Sequence, residues 1–310
     1  MRSAFVDALC EQAAADGRIF LLTADLGWSV LEKFAAAFPR RFLNVGVAEQ
    51  NMLGIAAGLA LEGHTPFVYS IATFASMRGY EQFRNGAVLH RLPVRVVGMG
   101  GGFSYGHAGP THHALEDLAI TRAQPGVAVI APADSAQARQ ALRAAARVPG
   151  PVYFRIDKAE LPDIPALDGR FALDRPELVR PGKDVLYLAT GSITHAALKA
   201  AERLQRDGIS AAVAVQAHLS FRASPALCHL LEAYPRVVTV EEGTTAGGLG
   251  SLTAEAIAQH GLPCRLSMQG VKGSFVKEGG GPEYLRGRHG IDAAGLAAVA
   301  EQWLRQREAA

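Results

Sequence analysis

Residues 44–52 read Asn-Val-Gly-Val-Ala-Glu-Gln-Asn-Met and turn a short apolar run directly into a helical pattern. Leu43 to Val47 is expected to form a strand, and Glu49 to Glu62 a helix in which Gly54, Ala56, Ala57 and Gly58 pack closely. A strand that runs straight into a helix is half of a crossover between parallel strands. The pattern extends in both directions. Ile19 to Thr23, Thr65 to Tyr69, Val94 to Met99, Val127 to Ala131 and Val152 to Ile156 read as further strands. Tyr80 to Leu89 and Ser135 to Arg147 read as helices, the latter capped by Asp134 or Ser135. Apolar runs of this length between helices, without polar alternation, predict a mostly parallel sheet covered on both faces.

From Lys158 to Gly182 the texture changes. Pro162, Pro165, Pro176 and Pro181 interrupt it, and no apolar period survives, which predicts a linker. A second α/β unit then begins. Its expected strands are Val185 to Thr190, Ser210 to Val215, Val237 to Glu241 and Cys264 to Met268. Its helices are Thr194 to Gly208, Ala223 to Ala233, Gly250 to His260 and Asp292 to about Arg307. The expected fold class is therefore α/β, with two consecutive three-layer domains over residues 1–158 and 183–310 and a linker over 159–182. A chain of 310 residues exceeds the usual size of one core, consistent with two.

Composition narrows the function. Thirty-one basic and 29 acidic residues give a formal charge of +2, without the basic face that nucleic-acid binding needs. Cys10, Cys228 and Cys264 lie far apart and match no metal-ligand spacing. They are expected to be reduced thiols of a cytoplasmic protein. Asp7, Glu11 and Asp16 interrupt any signal-peptide core, and no run approaches the roughly 20 apolar residues of a membrane span.

Three segments can carry chemistry. Glu49 stands in the first turn of its helix, where a carboxylate ordinarily complements the helix dipole. The apolar, small-residue run before it predicts a dry junction instead, and a desolvated carboxyl holds its proton more tightly. The second segment, residues 98–113, is rich in glycine and carries His107, His112 and His113. Pro110 and the delayed helix disagree with a dinucleotide-binding turn, which opens directly onto its helix. A substrate-facing loop fits better. The third, residues 241–251 (EEGTTAGGLGS), reads as strand, glycine turn and helix. It could bind an anion at the helix N-terminus or pack a tight turn.

Taken in order, these motifs resemble the transketolase family over nearly the whole chain. Residues 44–52 look like that family's signature at its conserved glutamate. Phe67 to Gln82 (FVYSIATFASMRGYEQ) resembles its pyrimidine-pocket segment. Gly109-Pro-Thr-His112 with Leu115-Glu-Asp117 resembles its active-site loop, and Val237 to Ser251 its C-terminal domain. The resemblance implies a thiamine-diphosphate enzyme that moves a two-carbon ketol unit from a ketose or ketose phosphate to an aldehyde. It implies that Glu49 hydrogen-bonds N1′ of the cofactor's aminopyrimidine and that Phe74 stacks on that ring. Asp25, Ile71 and Met77 fall at neighbouring cofactor positions. His112 faces the reacting carbon, and Ser29 and Arg155 match positions that hold a substrate phosphate. Arg155 could instead pair with Asp157.

The departures are informative. The active-site loop reads Gly106-His-Ala-Gly-Pro-Thr-His112, so Ala108 replaces a family aspartate and His107 adds a polar group on the substrate side. Gly100 falls where sugar-phosphate transketolases carry a second histidine. A non-standard sugar is therefore expected. The family holds the diphosphate and a Mg²⁺ or other divalent ion on a domain with a Gly-Asp-Gly motif, and this chain contains no Gly-Asp-Gly. The resemblance thus implies no metal ligands here and a partner chain carrying that domain, in an α2β2 assembly. Its rivals are a 2-oxoacid dehydrogenase β-type chain, a deoxyxylulose-phosphate-synthase-like ligase, and an inert assembly subunit.

Overall fold

The computed structural model describes residues 1–305. Among the described residues, twelve strands form two sheets: β1 (Ile19–Thr23), β2 (Phe42–Asn44), β3 (Thr65–Ile71), β4 (Arg95–Met99), β5 (Ala128–Ile130), β6 (Val152–Ile156), β7 (Glu177–Arg180), β8 (Val185–Ala189), β9 (Ala211–Val215), β10 (His218–Leu219), β11 (Arg236–Thr244) and β12 (Arg265–Val271). The first sheet runs β10-β5-β6-β4-β3-β1-β2 and the second β12-β11-β8-β9-β7. All pairings are parallel except β10 on β5 and β7 on β9, both at sheet edges.

Period-two placement of side chains explains why the central strands are apolar throughout. Leu21, Phe67, Val97 and Phe154 pack on one face, with Phe5 and Leu9 of the N-terminal helix Arg2–Ala15 and with Leu142 of helix Ser135–Ala145. Leu22, Val68, Val96 and Tyr153 pack on the other, with Met52, Leu53 and Ala56 of helix Glu49–Leu61. That second cluster continues into Leu186, Leu188 and Leu252, so the two units share apolar contacts. Tyr187, Val213 and Val238 close the far face of the second sheet under helices Thr194–Arg206 and Ala293–Arg305. Asp134 caps its helix as expected, accepting the Gln137 amide at 2.7 Å.

Several expectations need correction. β2 is an edge strand that ends at Asn44, because Gly46 (φ +74°) turns the chain toward its helix. Gly54 and Gly58 of that helix are exposed and meet none of the described residues, whereas Ala56 is buried. The expected linker contains β7, which pairs antiparallel with β9. β10 comes from the second unit yet completes the first sheet, with a further bond from the Ala131 amide to the Ala217 carbonyl. The C-terminal helix is described from Ala293 to Arg305; its expected end at Arg307 lies outside the described residues.

Candidate active site

The candidate site gathers at the carboxyl ends of β1, β2 and β3, where parallel α/β sheets commonly place their ligands. Glu49 opens its helix just past β2 and is almost completely buried. Its Oε1 accepts a hydrogen bond from Ser70 Oγ of β3 at 3.1 Å. Arg78 Nη1 lies 3.2 Å from Oε1 and 3.1 Å from Oε2. The burial expected at Glu49 is present, but the half-exposed Arg78 side chain closes it on one side.

A five-residue π-helical turn, Phe74–Arg78, follows β3; such wide turns are frequent at functional sites. It places the Arg78 guanidinium over the Phe74 ring, 3.7 Å from the centroid. His112 meets the same ring edge-on at 5.1 Å, and Thr111 Oγ1 sits 2.9 Å from His112 Nδ1. Tyr105 lies 6.3 Å from the His112 ring and carries Lys158 over its face at 4.7 Å. Glu49, Phe74 and His112 are therefore joined through direct side-chain contacts. Arg78 and Tyr105 are members that the sequence reading omitted. The spacing of four between Phe74 and Arg78 was the available signal.

The other expected residues are distributed around this centre. Ile71 ends β3 and is nearly buried; Met77 is partly exposed, with Thr73 Oγ1 at 3.6 Å from its sulfur. Asp25 and Ser29 are exposed and both take positive φ, +56° and +63°. Non-glycine residues in that region are uncommon, and such strain concentrates at functional loops. Asn44 fixes this loop to the start of the Glu49 turn. Its side chain accepts from the Asp25 and Gly46 amides at 3.0 Å and donates to Asp25 Oδ1 at 3.1 Å. His107 is exposed on the short turn Gly106–Ala108, which packs against the C-terminal unit through the Gly280 amide to the Gly106 carbonyl.

Arg155, matched from sequence to a phosphate-holding position, is engaged by partners within the chain. It is buried, donates to the Ala114 carbonyl, and pairs with Asp117 Oδ1 at 2.8 Å. Tyr153 donates to the other Asp117 oxygen at 2.6 Å. Asp157, the partner considered from sequence, instead accepts from Ser104 and Ser192. A cation in the middle of an apolar strand must be compensated internally, and Asp117 does this. The arrangement also anchors the His112 loop. Its neck is closed by reciprocal Gly102–Ala114 backbone bonds, and Glu242 of β11 accepts the Phe103 amide at 2.8 Å while pairing with Arg286. Gly102 (φ +61°) permits this approach, since a Cβ there would lie 2.5 Å from Glu242 Cγ.

The anion considered for residues 241–251 belongs to the chain itself. Glu241 accepts the Leu249 and Gly250 amides at 2.9 and 2.8 Å, filling the N-terminus of helix Leu249–His260. Burial pushes its carboxyl up to about 7, against those two hydrogen bonds and the charges of Arg155 and Arg122. An unfolded chain releases this proton near 4.5, whereas the native protein keeps it to about 7. The resulting stability is fully present below the unfolded value and is lost as pH rises through 7. The thermal midpoint of the protein minus that of Glu241→Gln should therefore increase between pH 8 and pH 5, by the equivalent of about 3 kcal/mol. A pH-independent difference would remove Glu241 as the cause.

The folds and the site define the class first: two α/β units with a buried glutamate, an aromatic face and a loop histidine at strand ends. The pyrimidine-binding domain of transketolases matches residues 1–163, and the transketolase C-terminal domain matches residues 175–295. The chain belongs to the transketolase family. It is 32% identical over 307 residues to an apulose-4-phosphate transketolase subunit of Phocaeicola vulgatus, covering 98% of this chain and 97% of that one. It is 38% identical over 304 residues to the 6-deoxy-6-sulfo-D-fructose transketolase subunit SqwH of Clostridium sp. (strain MSTE9), covering 97% and 94%. A solved split-gene transketolase, an inactive β4 tetramer, superposes with a TM-score of 0.86 at 36% identity, covering 98% of each chain. Family membership carries dependence on thiamine diphosphate and a transferase activity of transketolase type. Among the described residues, no helix is long and apolar enough to cross a membrane.

Proposed function

We propose that this chain is the second subunit of a split transketolase, transferring a two-carbon ketol unit from a ketose to an aldehyde together with a partner chain. The carrying observation is the buried Glu49 carboxylate, linked through the Arg78 guanidinium to the Phe74 ring, with His112 against that ring. This donor set fits the aminopyrimidine half of thiamine diphosphate, a flat ring with a proton-accepting nitrogen. When bound, the cofactor supplies the nucleophilic carbon and the electron sink for breaking a bond beside a carbonyl.

In this reading, Glu49 holds the proton at pyrimidine N1′, with Ser70 fixing one carboxyl oxygen. Phe74 gives the ring a flat apolar face, and Ile71 and Met77 line it. Thr111 orients His112 through Nδ1, so Nε2 is the atom that takes or gives a proton at a substrate hydroxyl. Asp25 and Ser29 shape the rim beside Glu49, and His107 borders the substrate entrance. The partner supplies the diphosphate and Mg²⁺ site on its Gly-Asp-Gly domain, in an α2β2 assembly. The names of the two relatives specify sugars with an anionic end, and we assign the same substrate class here. Lys158, beside Tyr105, replaces Arg155 as the cation for that end.

The test mixes the purified chain with its partner, thiamine diphosphate and Mg²⁺, and supplies ketose phosphates, sulfonated ketoses, hydroxypyruvate or pyruvate. Two-carbon transfer from an anionic ketose is expected from the mixture and not from either chain alone. Carbon dioxide release from pyruvate with no ketol transfer from ketoses would replace this reading with that of a decarboxylating ligase.

A further inference from the structure

Arg78 has no part in the proton and substrate roles assigned above, yet it contacts both Glu49 and Phe74. Its guanidinium touches both oxygens of Glu49, at 3.1 and 3.2 Å, and lies 3.7 Å from the centroid of Phe74. These are the two surfaces that an aminopyrimidine needs: a flat aromatic face and a buried carboxyl at its edge. A guanidinium matches them because it too is planar, and its edge N–H groups can meet the carboxylate. We propose that Arg78 holds the place of the cofactor's aminopyrimidine in the cofactor-free protein, alone or assembled, and is displaced when thiamine diphosphate binds. This rests on the cofactor reading given above.

The exposures support a removable plug. The Glu49 side chain is 2% exposed and that of Arg78 is 44%, so the guanidinium stands on the solvent side of the carboxylate. The arginine stem can swing outward with little loss of packing, whereas Glu49 has nowhere to go. A buried carboxylate without a counter-charge is costly, and Arg78 supplies it until a ring nitrogen arrives that can share a proton with Glu49. The side chain therefore keeps the pocket formed and blocked at once.

The experiment compares the assembled two-chain complex with its Arg78→Ala and Arg78→Lys variants, titrated with thiamine diphosphate and Mg²⁺ by calorimetry. Stopped-flow mixing measures the association rate, and thermal unfolding checks that each variant is folded. Arg78→Ala should bind the cofactor faster and about tenfold more tightly, the size of one charge-assisted contact that binding no longer has to break. Arg78→Lys keeps the charge and loses the plane, so it should fall between the two. Equal or weaker binding by a folded Arg78→Ala complex overturns the plug and makes Arg78 a cofactor ligand or a structural residue. If the unmodified complex itself binds no thiamine diphosphate, the cofactor reading fails, and the plug fails with it.

Discussion

Glu49→Gln is expected to slow ketol transfer by the assembled enzyme by orders of magnitude while leaving the subunit folded. Glutamine matches glutamate in size and can still accept the Ser70 hydroxyl through its carbonyl oxygen, so the local packing survives. What it cannot do is exchange a proton with a ring nitrogen. Loss of a positioned acid–base group lowers rates by on the order of 10²–10⁴-fold, and the turnover of the variant should fall by that amount. The substitution also breaks the ion pair with Arg78, whose guanidinium is partly solvated and tolerates the loss. Thermal unfolding should therefore shift little. Turnover measured at saturating thiamine diphosphate separates a proton role from weakened cofactor binding. Unchanged turnover there removes Glu49 from the mechanism.

The parts legible from sequence are those with local causes. Ile19–Thr23 and Val152–Ile156 were readable because a strand buried on both faces leaves an uninterrupted apolar run. β10 was not readable. Two residues become a strand only because Ile130 and Val129 stand beside them in the folded protein. The same division holds in the site. Glu49, Phe74 and His112 sit in motifs that identify them, but the partner of Glu49 comes from the turn after β3. Charge pairing across elements leaves no periodic trace. Arg155 shows the converse. Its position within Val152–Ile156 signalled that its charge had to be met inside the protein, and the family's phosphate role obscured that signal. Asp117, across the loop neck, meets it instead.

Asp117→Ala is the substitution expected to cost most in stability. Asp117 is fully buried and serves two donors, Arg155 at 2.8 Å and Tyr153 at 2.6 Å. Removing it leaves the buried Arg155 guanidinium without its counter-charge. Breaking a buried pair from one side costs about 3–5 kcal/mol, because the remaining charge stays desolvated. Chemical denaturation of the chain should register that loss, and Asp117→Asn, which keeps an acceptor but not the charge, should lose less. The effect should extend to the His112 loop. Arg155 also holds the Ala114 carbonyl, and Ala114 closes the loop neck with Gly102. Amide exchange at Gly102 and Ala114 should accelerate in Asp117→Asn even where the domain remains folded. If both variants unfold at the denaturant concentration of the parent, the Arg155–Asp117 pair does not secure the junction, and an outward-turning Arg155 again becomes available to a substrate anion.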